Sequence, residues 1–323
     1  MAARLIPVTA LVSLICLALV ACGSAAKSSI RVSALARHAA VPAIHTNAAS
    51  APPALTARAA ELYNLSTGKT MLSVNTNAEM PMASTTKIMT AIVALTYGKL
   101  DQPITVGADA VAVDSQGASI AGLREGETLS LRELLYCLML PSGDDAAIAI
   151  ADGVGGSQAG FVALMNLEAG LLGLSHTHYA NAHGLDQNGH FTSAGDLVRL
   201  AIYAIGSPTF AQIVRTPTRT LPSTSTHHTF MLTNTNELLP GEPYAYPGAL
   251  GVKTGYTGGA GYCLVFMAIR PQGALIGVVL GEPLPAERFT DPTKLLNWGY
   301  AQLEAPAAPG ATPTVTATTS SGA

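Results

Sequence analysis

A membrane-spanning stretch is missing from the N-terminus, where the uncharged run Ile6 to Ala21 falls short of the roughly 18 residues such a helix needs. Cysteine is scarce: of the four, Cys16 lies inside that run and Cys22 closes it. Only Cys137 and Cys263 remain, each within an apolar run, so two buried free thiols are expected rather than a disulfide framework. No H-E-x-x-H motif and no cysteine pair accompanies His176, His178, His183, His190, His227 or His228. Those histidines are therefore read as hydrogen-bonding groups, and neither a metal nor a cofactor is expected. There is no basic tract or aromatic–basic interleaving, and 17 basic against 20 acidic residues give a net charge of −3, which excludes nucleic acid as a partner.

What is present begins with an export signal. A short segment with one basic residue (Arg4), an apolar run and small residues at 21 to 23 spell a signal peptide over 1–21. Leu19-Val20-Ala21-Cys22 resembles the lipobox of bacterial lipoproteins, which implies a diacylated Cys22 and a lipid-held, extracytoplasmic protein. The alternative is ordinary cleavage a few residues later, with Cys22 lost. Residues 22–55, rich in Ala, Ser, Pro and Thr, read as a flexible linker, and 304–323 as a disordered tail. The span 56–303 is long enough for a substantial core and is expected to be the functional domain. No further β domain or amphipathic helix follows Leu303, so attachment is expected to rest on Cys22.

Within that span the periodicity changes twice. Ala60–Leu65 and Thr70–Val74 flank Ser66-Thr67-Gly68-Lys69, a hairpin pattern. Ile88, Met89, Ile92, Val93 and Leu95 recur at helical spacing from about Ser84, with Gly98 as the stop. Ser130 and Glu133 form a capping box before Leu131, Leu134, Leu135 and Leu138, and Pro141-Ser142-Gly143 breaks that helix. Helices are expected from Asp144 to Ala151, Gln158 to Leu172, and Ser193 to Ile205. Strand-like runs Gly261–Ile269 and Ala274–Leu280 meet at Arg270-Pro271-Gln272-Gly273, and Pro292 is expected to start a last helix. Strands at both ends with helices between imply an α+β body, an antiparallel sheet with a helical insertion and a cleft at the junction.

Three polar islands carry chemistry. Ser84 and Lys87 are three apart at a helix start, so both side chains face one way. A lysine removed from water and placed near a second cation such as Lys253 loses its proton more easily, and neutral Lys87 can then take the proton of Ser84. The bland reading is a helix cap beside a solvated lysine. Ser142, in a break between helices, can relay a proton from a cleft or simply cap the next helix. Lys253 and Thr254 offer a charge and a hydroxyl to a carboxylate, and Gly255 leaves room for an extended peptide along a strand edge.

In this order, the islands resemble the motifs of the serine-type D-alanyl-D-alanine carboxypeptidases, the low-molecular-mass penicillin-binding proteins. Pro81 to Ala91, Leu140 to Gly143 with Asp145-Ala146-Ala147, His183-Gly184-Leu185-Asp186, Gly251 to Gly255 and Leu295 to Gly299 extend the likeness over about residues 56–303. The resemblance implies a penicillin-recognising fold, with an all-helical subdomain and the site at its junction with the sheet. Ser84, Lys87 and Ser142 would be catalytic. Asp144, Lys253, Thr254 and Gly255 would bind substrate, and the backbone N–H groups of Ser84 and Tyr256 would form the oxyanion hole. The implied reaction removes the terminal D-alanine of peptidoglycan stem pentapeptides, with β-lactams as covalent inhibitors. Alternatives are a same-fold endopeptidase, a serine β-lactamase, or a silent peptidoglycan-binding lipoprotein. One departure stands out: the family's second motif normally ends in Asn, whereas this chain has Asp144, an acceptor where an amide also donates. Pairing of Asp144 with Lys87 or Lys253 would raise that lysine's pKa and weaken the base.

Overall fold

The structure, a computed structural model, describes residues 51–113 and 118–304. The signal, the lipobox with Cys22, most of the linker and nearly all of the tail lie outside the described residues.

The chain opens with β1 (Ala59–Asn64) and β2 (Lys69–Val74), followed by a 3-10 turn (Ala83–Thr86) and α1 (Lys87–Tyr97). Next come β3 (Pro103–Thr105), α2 (Ala108–Ala112), β4 (Thr128–Ser130) and α3 (Leu131–Met139). Helices α4 (Asp144–Gly155), α5 (Gln158–Leu171), α6 (Ala194–Ile205) and α7 (Pro208–Val214) complete the helical part. The rest is β5 (Thr218–Leu221), β6 (Phe230–Thr233), β7 (Ala249–Thr257), β8 (Gly261–Arg270), β9 (Gly273–Glu282) and α8 (Glu287–Glu304).

Five strands form one antiparallel sheet in the order β2-β1-β9-β8-β7. The first strand of the domain therefore sits inside the sheet, with Ala59 opposite Leu280 and Asn64 opposite Leu275. On one face α8 buries Phe289, Leu295, Leu296 and Tyr300 against Leu62, Leu264, Phe266 and Leu275. Each such aliphatic or aromatic side chain is worth about 1.5–3 kcal/mol when fully buried. The other core contains α1, α6 and the remaining helices, with Ile88, Met89, Ile92, Leu197 and Leu200 packed among Ile276 and Val278. This is the expected α+β arrangement.

Local chemistry accounts for the boundaries. Ser130 accepts from the Glu133 N–H while the Glu133 carboxylate accepts from Ser130, a reciprocal box that starts α3. Ser193 caps α6 through the Asp196 N–H. Cys137 and Cys263 are buried and free, as expected. The last helix differs from expectation: it begins at Glu287, and Pro292 lies inside it. Phe289 anchors the extra turn in the core, which offsets the hydrogen bond that proline cannot donate. The polar segment Val252 to Tyr256 is the middle of a nine-residue edge strand, longer and more buried than its composition implied.

Candidate active site

The nucleophile segment is a turn held by its own side chains. Ala83 has a φ of 48°, a left-handed conformation unusual for a residue with a Cβ. Thr85 Oγ1 donates to Met82 O at 2.6 Å and Thr86 Oγ1 to Ala83 O at 2.7 Å, fixing that turn. His190 supports it from behind, with Nε2 at 2.8 Å from Thr86 Oγ1 and Nδ1 accepting from the Ala180 N–H. Burial lowers the His190 pKa to about 4, so the ring works here as a neutral group.

Lys87, one turn beyond Ser84, has no exposed surface. Its Nζ lies 2.8 Å from Ser84 Oγ and 2.6 Å from His183 O, and it contacts Asp144 Oδ1. The solvated-lysine reading is thereby excluded. Burial pushes the Lys87 pKa below the ordinary lysine value, and the Asp144 carboxylate opposes that shift. Of the two lysines available to Asp144, the direct partner is Lys87.

Ser142 is not a helix cap. The N-cap of α4 is Gly143, and no side chain caps it. Ser142 instead has a φ of 69°, and its buried Oγ has no hydrogen-bond partner. A strained residue with an unused hydroxyl in a pocket wall is poised for a ligand rather than for the fold.

Strand β7 closes the site. Gly255 comes so near the nucleophile turn that a Cβ there would sit 3.1 Å from Ser84 N and from Ala83 Cβ. The Ser84 amide and the sheet edge are thus neighbours, as a two-donor oxyanion site requires. Lys253, expected to grip a carboxylate, is buried instead, donating to Thr254 O at 3.0 Å. Burial, then the Lys87 charge, pushes its pKa well down. Thr254 does face the cavity, its Oγ1 2.5 Å from Thr235 Oγ1.

One cavity of about 270 Å³ has Ser84, Ser142, Asp144, Thr254, Tyr256 and Arg288 in its walls, with Lys87 and Lys253 buried out of its lining. Both the helical part and the sheet contribute, which places it at the expected junction. Arg288 is the residue sequence reasoning missed. Its guanidinium lies over Phe289 at 4.8 Å and over Tyr262 at 5.4 Å, and Tyr262 stacks on Tyr256 at 4.2 Å. Its Nε has no hydrogen-bond partner, and among the described residues no carboxylate forms an ion pair with it. A cation held between rings in a cavity wall has the chemistry to receive a carboxylate, whereas Lys253 is not among the residues lining that cavity. The remaining histidines serve local contacts: His183 accepts from the Leu185 N–H, and His227 and His228 meet Glu133 and Glu127.

Residues 45–283 match the family of the D-alanyl-D-alanine carboxypeptidases. The chain is 37% identical to a D-alanyl-D-alanine carboxypeptidase of Streptomyces sp. strain K15 over 77% of this chain and 89% of that one. It is 36% identical to D-alanyl-D-alanine carboxypeptidase DacF of Bacillus subtilis, covering 77% of this chain and 63% of the relative. Among solved structures, the Streptomyces K15 DD-transpeptidase superposes with a TM-score of 0.73 at 36% identity, over 78% of this chain and all of that one. A D-alanyl-D-alanine carboxypeptidase of Mycobacterium tuberculosis H37Rv gives 0.72 at 30% identity, over 80% and 96%.

Proposed function

This chain belongs to the D-alanyl-D-alanine carboxypeptidase family, and on that premise we propose that it is a serine hydrolase that removes the terminal D-alanine from peptidoglycan stem pentapeptides. The observation that carries the reading is the fully buried Lys87, its Nζ 2.8 Å from Ser84 Oγ and its pKa lowered by burial.

Neutral Lys87 takes the Ser84 proton as Oγ bonds to the carbonyl carbon of the penultimate D-Ala. Negative charge develops on the carbonyl oxygen, and the backbone N–H groups of Ser84 and Tyr256 are the donors assigned to it. The C–N bond then breaks, and Ser142 passes a proton from Lys87 to the departing amine. Thr254 and Arg288 receive the carboxylate of the leaving D-alanine. Water, deprotonated by the same lysine, attacks the acyl-enzyme and restores Ser84. A β-lactam carbonyl enters the same path and stays on Ser84 as a covalent adduct.

A second reading has one specific support. The K15 neighbour is described as a DD-transpeptidase, and an amine in place of water at the last step would make this chain one as well. Peptide leaving groups other than D-alanine would make it an endopeptidase.

The protein is extracytoplasmic, as its family is, and we propose attachment through a diacylated Cys22, on the strength of Leu19-Val20-Ala21-Cys22. Among the described residues no single helix is long and apolar enough to cross a membrane. Cys22→Ser should release the mature protein from the membrane fraction or stall its processing.

The deciding assay is D-alanine release from a stem pentapeptide by the wild-type chain and by Ser84→Ala, with added glycine to measure transfer against hydrolysis. Release that depends on Ser84 supports the reading. No release by the wild type, or equal release by both, would overturn it.

A further inference from the structure

Two aspartates open α4, and their side chains diverge. Asp144 turns to Lys87. Asp145, only 2% exposed, turns the other way and meets a run of backbone. Its Oδ2 accepts from the N–H groups of Ala121 at 3.0 Å, Gly122 at 2.9 Å and Leu123 at 3.0 Å. Its Oδ1 accepts from Ala121 at 2.9 Å and from Ala146, in its own helix, at 2.8 Å. Residues 118–123 belong to no strand or helix. The hydrogen bonds made by the N–H groups of 121, 122 and 123 all end on this one carboxylate.

The same segment forms part of the cavity wall. Ala118 and Ser119 line the cavity together with Ser84, Thr254 and Tyr256. Ser119 O accepts from the Asp144 N–H at 2.7 Å, a second tether to the same helix turn. Gly122 has a φ of 87°, and nothing lies within 4 Å of where its Cβ would be. The wall therefore curls around the carboxylate through backbone conformation, with no side-chain packing at that point.

We propose that Asp145 is a positioning residue for substrate, clamping the wall 118–123 against α4 so that the cavity keeps the shape the acyl donor requires. The proposal rests on the acyl-transfer reading of the site. Charged hydrogen bonds from three consecutive amides fix backbone far more firmly than apolar contact would. An asparagine has one acceptor oxygen and a donor NH₂, and that donor would face donors, leaving at least one buried N–H unpaired. Loss of the clamp is expected to weaken non-covalent binding before it slows the chemical step, because Asp145 touches none of the reacting groups.

Asp145 also acts at a distance. Its charge raises the Lys87 pKa, a smaller effect than that of Asp144, while Lys253 and His183 face Lys87 as well. Removing the Asp145 charge lowers the Lys87 pKa, so the acid limb of the pH–rate profile moves to lower pH. Gly122→Ala disturbs the wall through its left-handed backbone without touching any charge.

The test compares wild type, Asp145→Asn and Gly122→Ala by stopped-flow with a fluorescent penicillin, resolving the non-covalent constant K from the acylation rate constant k2. Amide hydrogen exchange is measured in parallel. We expect K to rise about tenfold in both variants, equivalent to about 1.4 kcal/mol, with k2 changed far less. The downward shift of the acid limb should appear in Asp145→Asn alone. The amides of 121–123 should exchange faster in Asp145→Asn while the interior of α4 keeps its protection. K within about twofold of wild type in both variants, or unchanged exchange at 121–123, would overturn the proposal. If Asp145→Asn does not fold, K for Gly122→Ala decides. A wild-type chain that forms no penicillin adduct sinks the acyl-transfer reading itself, and the exchange measurement still tells whether Asp145 holds the wall.

Discussion

Replacing Asp144 with asparagine removes the charge that touches Lys87 Nζ and keeps one oxygen acceptor in its place. Lys87 must be neutral to accept the Ser84 proton, and two opposed effects set how easily it becomes so. Burial drives its pKa down, and the Asp144 carboxylate drives it up. A hydrogen bond to a charged group is worth about 1.5–3 kcal/mol. Losing that contribution leaves burial less opposed, so the Lys87 pKa falls further. Activity rises as pH passes upward through this pKa, so the acid limb should move to lower pH with it. On that limb the acylation rate should increase about tenfold or more. The asparagine amide adds a second gain, since it gives the cavity a donor for a substrate carbonyl. Stability should fall, because a buried cation loses its counter-charge, but by less than the about 3–5 kcal/mol usual for a broken buried pair. Lys87 keeps Ser84 Oγ and His183 O as partners and can shed its proton. The assay is the second-order rate of penicillin acylation for both forms between about pH 5 and 10. An acid limb that stays in place, together with a slower asparagine variant, would show that Asp144 is a working part of the site and that its charge is no handicap.

Ser142→Ala should leave the thermal midpoint unchanged or slightly raised, since it deletes a buried hydroxyl with no partner. D-alanine release should nevertheless fall about 100-fold, the ordinary worth of positioned proton transfer. Arg288→Leu should raise KM for the pentapeptide at least tenfold, about the loss of one charge-assisted contact. A peptide ending in an amide should show no such loss, and equal effects on both peptides would refute the carboxylate assignment. Burial raises the Glu282 pKa from the ordinary value near 4.5 to about 7. The folded chain therefore holds a proton that the unfolded chain has already lost over that interval. That contribution is complete below the unfolded value and fades as pH rises through about 7. Glu282→Gln should flatten the decline and stabilise the protein by up to about 3 kcal/mol near pH 8, as read from urea melts across pH. A decline that persists unchanged in the glutamine variant would place the titration elsewhere.

The sequence announces features that act through neighbours along the chain and conceals those that act across it. Ser130 with Glu133, Ser193 with Asp196, and Gly98 mark helix ends because capping works over a few residues. Ser84, Lys87 and Ser142 are legible through motif spacing; the structure brings Ser84 and Ser142 to one cavity with Asp144, Thr254 and Tyr256, and sets Lys87 directly behind Ser84. Arg288 is not legible, because what marks it is aromatic rings from distant β8 on one side and Phe289 on the other. Thr235 is hidden for the same reason, its meaning given by a direct hydrogen bond with Thr254, 19 residues on. The polar triad marks Lys253 as a charge for a carboxylate, and does not reveal that β7 and the nucleophile turn shut it in. Pro292 misled locally: proline favours a helix start, but burial of Phe289 pulled that start back to Glu287.

The placement of β1 inside the sheet, beside β9, bears on how an exported chain crosses a membrane. Its partner strand ends more than 200 residues later, at Glu282. While the chain is threaded outward from its N-terminus, β1 emerges early and finds only β2 to pair with, and a lone hairpin is marginal in water. The central sheet can close only after the last strands arrive, so the closing contacts have the longest loops and the slowest formation. Such a topology resists premature folding on the wrong side of the membrane: with β7, β8 and β9 still being synthesised, the nascent chain stays loose enough for a narrow channel. The same delay leaves β1, with its Leu62 and Tyr63, without its β9 partner until translocation ends, and an unpaired strand edge is open to association over that interval.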